Sequence, residues 1–329
     1  MKNERMYQEL LELITTDSAS GKEGRIAGLL TDKLEKLGFT VERDQAGDTF
    51  GGECGNLFAY LDGVLDGSVL FSAHLDRVPG GFGIKPREQD GILYSDGTTI
   101  LAADDVSGIC AVLEGLRVAL AAGEPLPRIE LLFTVGEEAG LFGSKAFDMS
   151  KLQSKLGYVF DSPGPVGRLI NSAPGMYSLK AQITGRAAHA GSEPEKGINA
   201  AKIMCDMLSS LKQGRLDEKT TSNFPIITTG STVSNVVCDR ASFEGEARSR
   251  DKARLEDYVA YFERHCRKVA EQNQAGLELK KVCMFQPFLV PETHPCLAMM
   301  KKVMEELQIP CRIEGGGGNY KGIRKKLFP

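Results

Sequence analysis

Four times in the first half of the chain, polar side chains with metal-binding or acid-base chemistry stand just past an apolar run, and this constrains the fold more than any other feature. Val69-Leu70-Phe71-Ser72-Ala73 leads into His74-Leu75-Asp76. Ala103-Asp104-Asp105 precedes a helix that begins Val106-Ser107-Gly108. Ile129 to Val135 leads into Gly136-Glu137-Glu138-Ala139-Gly140, and a buried run ending at Phe160 leads into Asp161. Open α/β sheets gather ligands outside the carboxyl ends of their strands, so side chains repeated at that position mark one edge of such a sheet.

The pattern between these points agrees. Apolar residues at helical spacing predict a helix over 7–16. Ser20-Gly21-Lys22-Glu23 has the form of a capping box opening a second helix that closes near Gly38. Strands are predicted over 40–43, 56–61, 69–73, 129–135 and 157–160, with helices over 106–122 and 144–152, and this alternation defines an α/β layer fold.

Near Pro174 the period changes. Tyr177, Leu179, Ala181 and Ile183 alternate with polar residues, and a helix over 198–211, strands over 226–229 and 242–248, a helix over 252–274 and a strand over 277–285 follow. This order reads as a separate two-layer α+β unit. A helix over 295–307 and a strand over 311–314 then resemble the first part again. With 329 residues, enough for two domains, the expected division is a first domain over 1–174 and 290–329 and an inserted domain over 175–289.

Apolar residues make up 42% and charged residues 26% of the chain, the balance of a soluble globular protein. The formal charge of −4 and pI near 5.8, with no basic cluster beyond Arg324-Lys325-Lys326, argue against nucleic-acid or membrane-surface partners. No apolar signal core or spanning segment is evident, so a cytoplasmic location is expected. Eight cysteines without a C-x-x-C pair indicate reduced thiols rather than a disulfide framework or thiolate metal site.

Taken singly, each polar motif has two readings. His74 and Asp76 could be a metal ligand and the carboxylate that orients its ring, or a buried structural pair. Asp104-Asp105 could be ligands or an N-cap. Glu137-Glu138 atop a buried strand is costly unless paired or metal-bound, and Asp161 before Ser162-Pro163 could open an Asx turn.

Their succession is less ambiguous. His-x-Asp, Ala-Asp-Asp before a helix of small residues, Gly-Glu-Glu-x-Gly, Phe-Asp and an inserted α+β unit together resemble the M20 metallopeptidase family, most closely its peptidase T-like aminopeptidases. Ser72-Ala73-His74-Leu75-Asp76, Thr134-Val135-Gly136-Glu137-Glu138 and Gly245-Glu246-Ala247-Arg248-Ser249 carry the likeness. The resemblance implies a mixed-sheet zinc-peptidase catalytic domain with an inserted lid and dimerisation domain, two zinc ions (cobalt or manganese being alternatives), and homodimers acting on short peptides. Asp104 would bridge the ions, His74 and Asp161 would complete one, and Glu138 would bind the other. Asp76 would orient His74, and Glu137 would be the general base. His189, in Ala187-Ala188-His189-Ala190-Gly191, matches a lid histidine that polarises the scissile carbonyl. Asn235 and Arg248 match substrate-contacting positions, Arg248 suiting a peptide carboxylate.

One departure stands out. The family continues past its glycine-rich loop to a final histidine ligand, whereas Gly315-Gly316-Gly317-Gly318-Asn319 is followed here by only ten residues, from Tyr320 to Pro329. The expectation is a second zinc site weakened by loss of its imidazole, a sheet edge left uncovered, and impaired hydrolysis. The alternatives are another M20 amidohydrolase or deacylase, and a catalytically impaired dimeric scaffold that binds metal or peptide.

Overall fold

The computed structural model describes residues 3–316, which divide into two compact units, one of residues 3–167 with 293–310 and the other of 168–292 with 311–316. In the first, α1 (Glu4–Thr15) opens on Asn3, whose side chain accepts from the Met6 N–H, and α2 (Gly24–Lys36) follows. Then come β1 (Thr40–Arg43), β2 (Leu57–Leu61), β3 (Leu65–His74), the hairpin β4 (Arg87–Gln89) and β5 (Ile92–Tyr94), α3 (Val106–Ala122), β6 (Pro127–Thr134), α4 (Phe142–Ala146) and β7 (Leu156–Val159).

The central sheet has the order β1-β2-β6-β3-β7. β3 runs parallel to both β6 and β7, while β2 is antiparallel to β6. Because β3, β6 and β7 point the same way, the segments after all three emerge at one edge. Leu13, Ile26, Leu30, Leu57, Ile109, Leu113, Leu131 and Phe133 are fully buried in the core that α1, α2 and α3 share with the sheet. Each such side chain contributes about 1.5–3 kcal/mol of transfer free energy.

The second unit holds β8 (Arg168–Ala173), β9 (Gly175–Thr184), α5 (Ala200–Ser210), β10 (Gly214–Arg215), β11 (Thr220–Thr229), β12 (Arg240–Ser249), α6 (Lys252–Gln272), β13 (Gly276–Phe285), β14 (Phe288–Leu289) and β15 (Arg312–Gly315). An antiparallel sheet of order β10-β11-β12-β9-β13 buries Leu179, Ala181 and Ile183 of β9, the face its alternation predicts, with Met207 of α5 and Phe262 of α6. A smaller sheet, β14-β8-β15, completes the unit. α7 (Pro295–Glu306) belongs to the first unit. Among the described residues no helix is long and apolar enough to cross a membrane.

Two local expectations are corrected. The helix over 144–152 is broken into α4 and a 3-10 turn at Met149–Lys151, because Phe147 leaves helical geometry to pack into the small cluster with Phe58 and Leu132. Ser20 and Glu23 form no capping box: no side chain of the N-cap residue Glu23 bonds to α2, and the Gly24 N–H is instead taken by Glu53 Oε1 at 2.8 Å.

Candidate metal centre

β3 ends on His74, and its parallel neighbours bring the segments after β6 and β7 alongside. The His74 ring is 1% exposed. Its Nδ1 lies 2.8 Å from the Asp76 backbone carbonyl and 3.4 Å from Asp76 Oδ1. A neutral ring donating from Nδ1 has its lone pair on Nε2, the state a metal ligand needs. The expected partner of His74 is therefore Asp76, with the main-chain oxygen closer than the carboxylate.

Nε2 faces acids. Asp104 Oδ1 is 3.1 Å away and Asp161 Oδ1 3.9 Å. Ligand atoms of His74, Asp104 and Glu138 all fall within 4.8 Å of one another, as do those of His74, Asp105 and Asp161. Three or four carboxylates around one imidazole nitrogen repel each other unless a cation is shared among them. The donor set of nitrogen and oxygen atoms suits zinc and also cobalt or manganese. The residues thus fit a metal.

Asp76 is buried and acts as a hub. Its Oδ2 accepts from the Ser20 hydroxyl at 2.6 Å, and its two oxygens accept the backbone N–H groups of Glu137 and Glu138 at 2.9 and 3.1 Å. Burial by itself would raise this carboxyl, but hydrogen bonds with His74 and Ser20 outweigh it and hold it below the ordinary range. Glu138, though exposed, is shifted the other way: partial loss of solvent raises it, and Asp104, Asp76 and Asp161 reinforce that against the opposing pull of His74. Glu137 is half-buried on the same turn.

The N-cap reading of Asp104-Asp105 does not hold for Asp105. Its side chain makes no cap bond to α3, and Oδ2 accepts the His74 N–H at 3.0 Å. Sequence reasoning passed over Asp105 as a site residue. A second acid beside Asp104 was the available signal, but adjacency along the chain does not show that the side chain turns back to β3. Ser20 and Glu23 were misread as well. Glu23 is fully buried, its Oε1 accepts the Gly136 N–H at 2.9 Å, and burial raises its carboxyl.

The other histidines stand elsewhere. His294 caps α7 through the Cys296 N–H, and His265 Nε2 lies 3.0 Å from the Met207 carbonyl. His189 belongs to the second unit, on the chain after β9, where its Nδ1 accepts from the N–H groups of Gly191 and Ser192 at 3.2 and 3.1 Å. Nε2 then carries the proton and is a hydrogen-bond donor. The Asn235 carbonyl accepts the Ala190 N–H, which ties the His189 loop to the segment before β12. Arg248, on β12, forks onto Glu246 at 2.7 and 3.1 Å. The expectation about the segment following the glycine loop, residues 317–329, lies outside the described residues.

A sheet whose parallel strands deliver a histidine and several carboxylates to one edge has the donor set of a metal-dependent enzyme. A model described as "Peptidase dimerisation domain" matches residues 171–274, and one described as "Peptidase family M28" matches 56–190. The uncharacterized protein YqjE of Bacillus subtilis is 36% identical over 97% of this chain and 86% of its own length. Among solved structures, the aminopeptidase PepT of Bacillus cereus superposes with a TM-score of 0.93 at 33% identity, covering 99% of this chain and 87% of that one. A tripeptidase of Staphylococcus aureus gives 0.93 at 31% identity, covering 98% and 86%. The chain belongs to the M20 metallopeptidase family, in its peptidase T-like group.

Proposed function

We propose that this M20-type peptidase is a metal-dependent aminopeptidase that releases the N-terminal residue of short peptides, tripeptides foremost. The observation that carries the reading is the convergence of His74 Nε2 with the carboxylates of Asp104, Glu138 and Asp161. The likeness to an aminopeptidase and a tripeptidase over nearly the whole chain supports the substrate class.

In this reading His74, Asp161 and Asp104 would hold one zinc, and Asp104 with Glu138 would hold a second. Zinc, when bound, polarises the peptide carbonyl and makes water a stronger acid. Glu137 takes a proton from the attacking water and returns it to the leaving nitrogen. Asp76 keeps the His74 ring and the Glu137-Glu138 turn in place. In the second unit, His189 would offer Nε2–H to the substrate carbonyl at the partner subunit's active site, and Asn235 and Arg248 would contact substrate, Arg248 receiving a peptide carboxylate in competition with Glu246. A homodimer is part of the proposal, supported by the match to a dimerisation domain. A cytoplasmic setting accords with eight cysteines that form no disulfide.

Among the described residues the centre contains a single imidazole, so in this reading the second ion would be held by carboxylates alone. The test is zinc content per chain after loading and desalting, with tripeptide cleavage followed in parallel. Tightly held zinc with release of the N-terminal residue supports the reading. Two tightly held ions and a kcat above about 1 s⁻¹ would show that carboxylates suffice for the second ion. Loss of an acyl group from N-acyl amino acids in place of peptide cleavage would favour a deacylase. A folded chain that takes up no zinc, cobalt or manganese would overturn the metal-dependent reading.

A further inference from the structure

We infer that Glu23 is a positioning residue for the metal centre: its buried carboxylate, accepting the Gly136 N–H, fixes the turn that carries Glu137 and Glu138. The inference rests on the proposed metal site and adds a residue outside its ligand set.

Gly136 has φ +57°, in the left-handed region that glycine tolerates, and a side chain there would lie 2.9 Å from the Phe50 ring. This conformation leaves three successive N–H groups, those of Gly136, Glu137 and Glu138, without strand partners and aimed inward. Consecutive N–H groups of this kind form a concave nest that suits anions. Two buried carboxylates fill it: Glu23 takes the first, and Asp76 takes the second and third.

Both carboxylates are tied to one segment. Ser20 donates to Asp76, the Ser18 carbonyl accepts the Arg77 N–H at 3.1 Å, and Ala19 bridges in parallel to Arg77. Residues 18–23 thus connect the end of β3, which supplies His74, to the turn after β6, which supplies Glu138. Glu23 is not needed as a cap for α2, because Glu53 takes the Gly24 N–H. An acid at a helix start that makes no cap bond to its own helix, is fully buried, and meets the residue before Glu137 is accounted for by what it holds in place. Partners behind the ligands commonly change metal affinity by about 10–100-fold when removed.

The experiment uses the full chain and three variants: E23Q, which keeps an acceptor oxygen at the same reach; E23M, which keeps the volume without it; and E23D, which is one methylene too short. Zinc affinity is measured by chelator competition, the visible spectrum of the cobalt-loaded protein is recorded, and thermal unfolding of the metal-free protein is followed. Zinc affinity in E23Q is expected within about threefold of the parent, and in E23M about 10–100-fold lower, with an altered cobalt spectrum. Parent-like affinity and spectrum in a folded E23M would overturn the inference, and so would an E23Q as impaired as E23M. If E23M does not fold, E23D carries the test: weaker binding than E23Q supports the inference, and equal or tighter binding overturns it. A parent chain that binds neither zinc nor cobalt fails the metal reading itself, which separates the two claims.

Discussion

The carboxylate of Asp76 accepts the backbone N–H of Glu138 at 3.1 Å, so the residue beside the candidate imidazole also holds the main chain of a candidate carboxylate ligand. With Ser20 and Glu137 as further donors, both oxygens of Asp76 are committed to acceptance. An amide in its place would turn an NH2 group toward at least one of these donors. Asp76→Asn is therefore expected to lower zinc affinity about 10–100-fold, measured by chelator competition. Parent-like affinity would show that His74 and Glu138 are positioned without this carboxylate.

Gly108, in the first turns of α3, allows close contact with two parts of the centre. A Cβ there would fall 2.4 Å from Asp105 Oδ1 and 2.4 Å from the Phe160 carbonyl oxygen. The second contact is main chain and cannot swing aside. Gly108→Ala is expected to destabilise the fold by about 1–3 kcal/mol despite the better helix propensity of alanine. Denaturant unfolding would reveal this as a lower midpoint at unchanged slope.

Arg77 is 2% exposed, and its hydrogen-bond partners are all neutral: the carbonyls of Leu13, Ile14, Thr16 and Gly81 and the Ser18 hydroxyl. The guanidinium closes the carbonyl end of α1, where a positive charge is favoured by the helix dipole. Burial lowers its affinity for the proton, though a guanidinium stays charged in proteins. Lysine keeps the charge but not the planar fork that reaches five acceptors. Arg77→Lys is expected to cost about 2–3 kcal/mol through carbonyls left unpaired, read from chemical denaturation; a change under about 0.5 kcal/mol would rule out the clamp.

Glu9 of α1, 5% exposed, accepts from both terminal nitrogens of Arg117 at 2.7 and 2.6 Å and lies 3.2 Å from Lys33 Nζ. Burial would raise the carboxyl, yet the bonds and charges of Arg117 and Lys33 hold it below its ordinary value of 4.5. A depressed acid contributes stability above its unfolded pKa and loses it as pH falls through the lower folded value. Glu9→Gln is expected to lower stability at pH 6 by about 2–3 kcal/mol, the modest end for a broken buried pair because Arg117 and Lys33 keep some solvent. The gap from the parent chain should close as pH falls from 4.5 through the lower folded value. A gap independent of pH would show that packing rather than charge accounts for the loss.

Much of the fold was legible in local pattern. The helix over 106–122 and the alternation of Leu179, Ala181 and Ile183 correspond to α3 and to the buried face of β9, because amphipathic period is a property of neighbouring residues. β8, β14 and the β4-β5 hairpin escaped notice; these short runs are identified by their partners rather than by a period of their own. In the candidate centre, His74, Asp76, Asp104, Glu137, Glu138 and Asp161 were picked out by type and by position after apolar runs. Ser20, Glu23 and Asp105 were not, since each sits where a cap is the simpler local reading.

What the sequence determined by itself was the inventory: which strands end on acids or imidazole, and that nitrogen and oxygen donors outnumber thiolates at those ends. Only the tertiary structure decided which partners those side chains take. The parallel register of β3 with β6 and β7 brings His74 to the segments that carry Glu138 and Asp161, and burial forces every carboxylate left inside to find a donor. Ser20 thus serves Asp76, and Glu23 serves Gly136, 113 positions away. Such pairings depend on desolvation in a particular place, a quantity no local pattern contains.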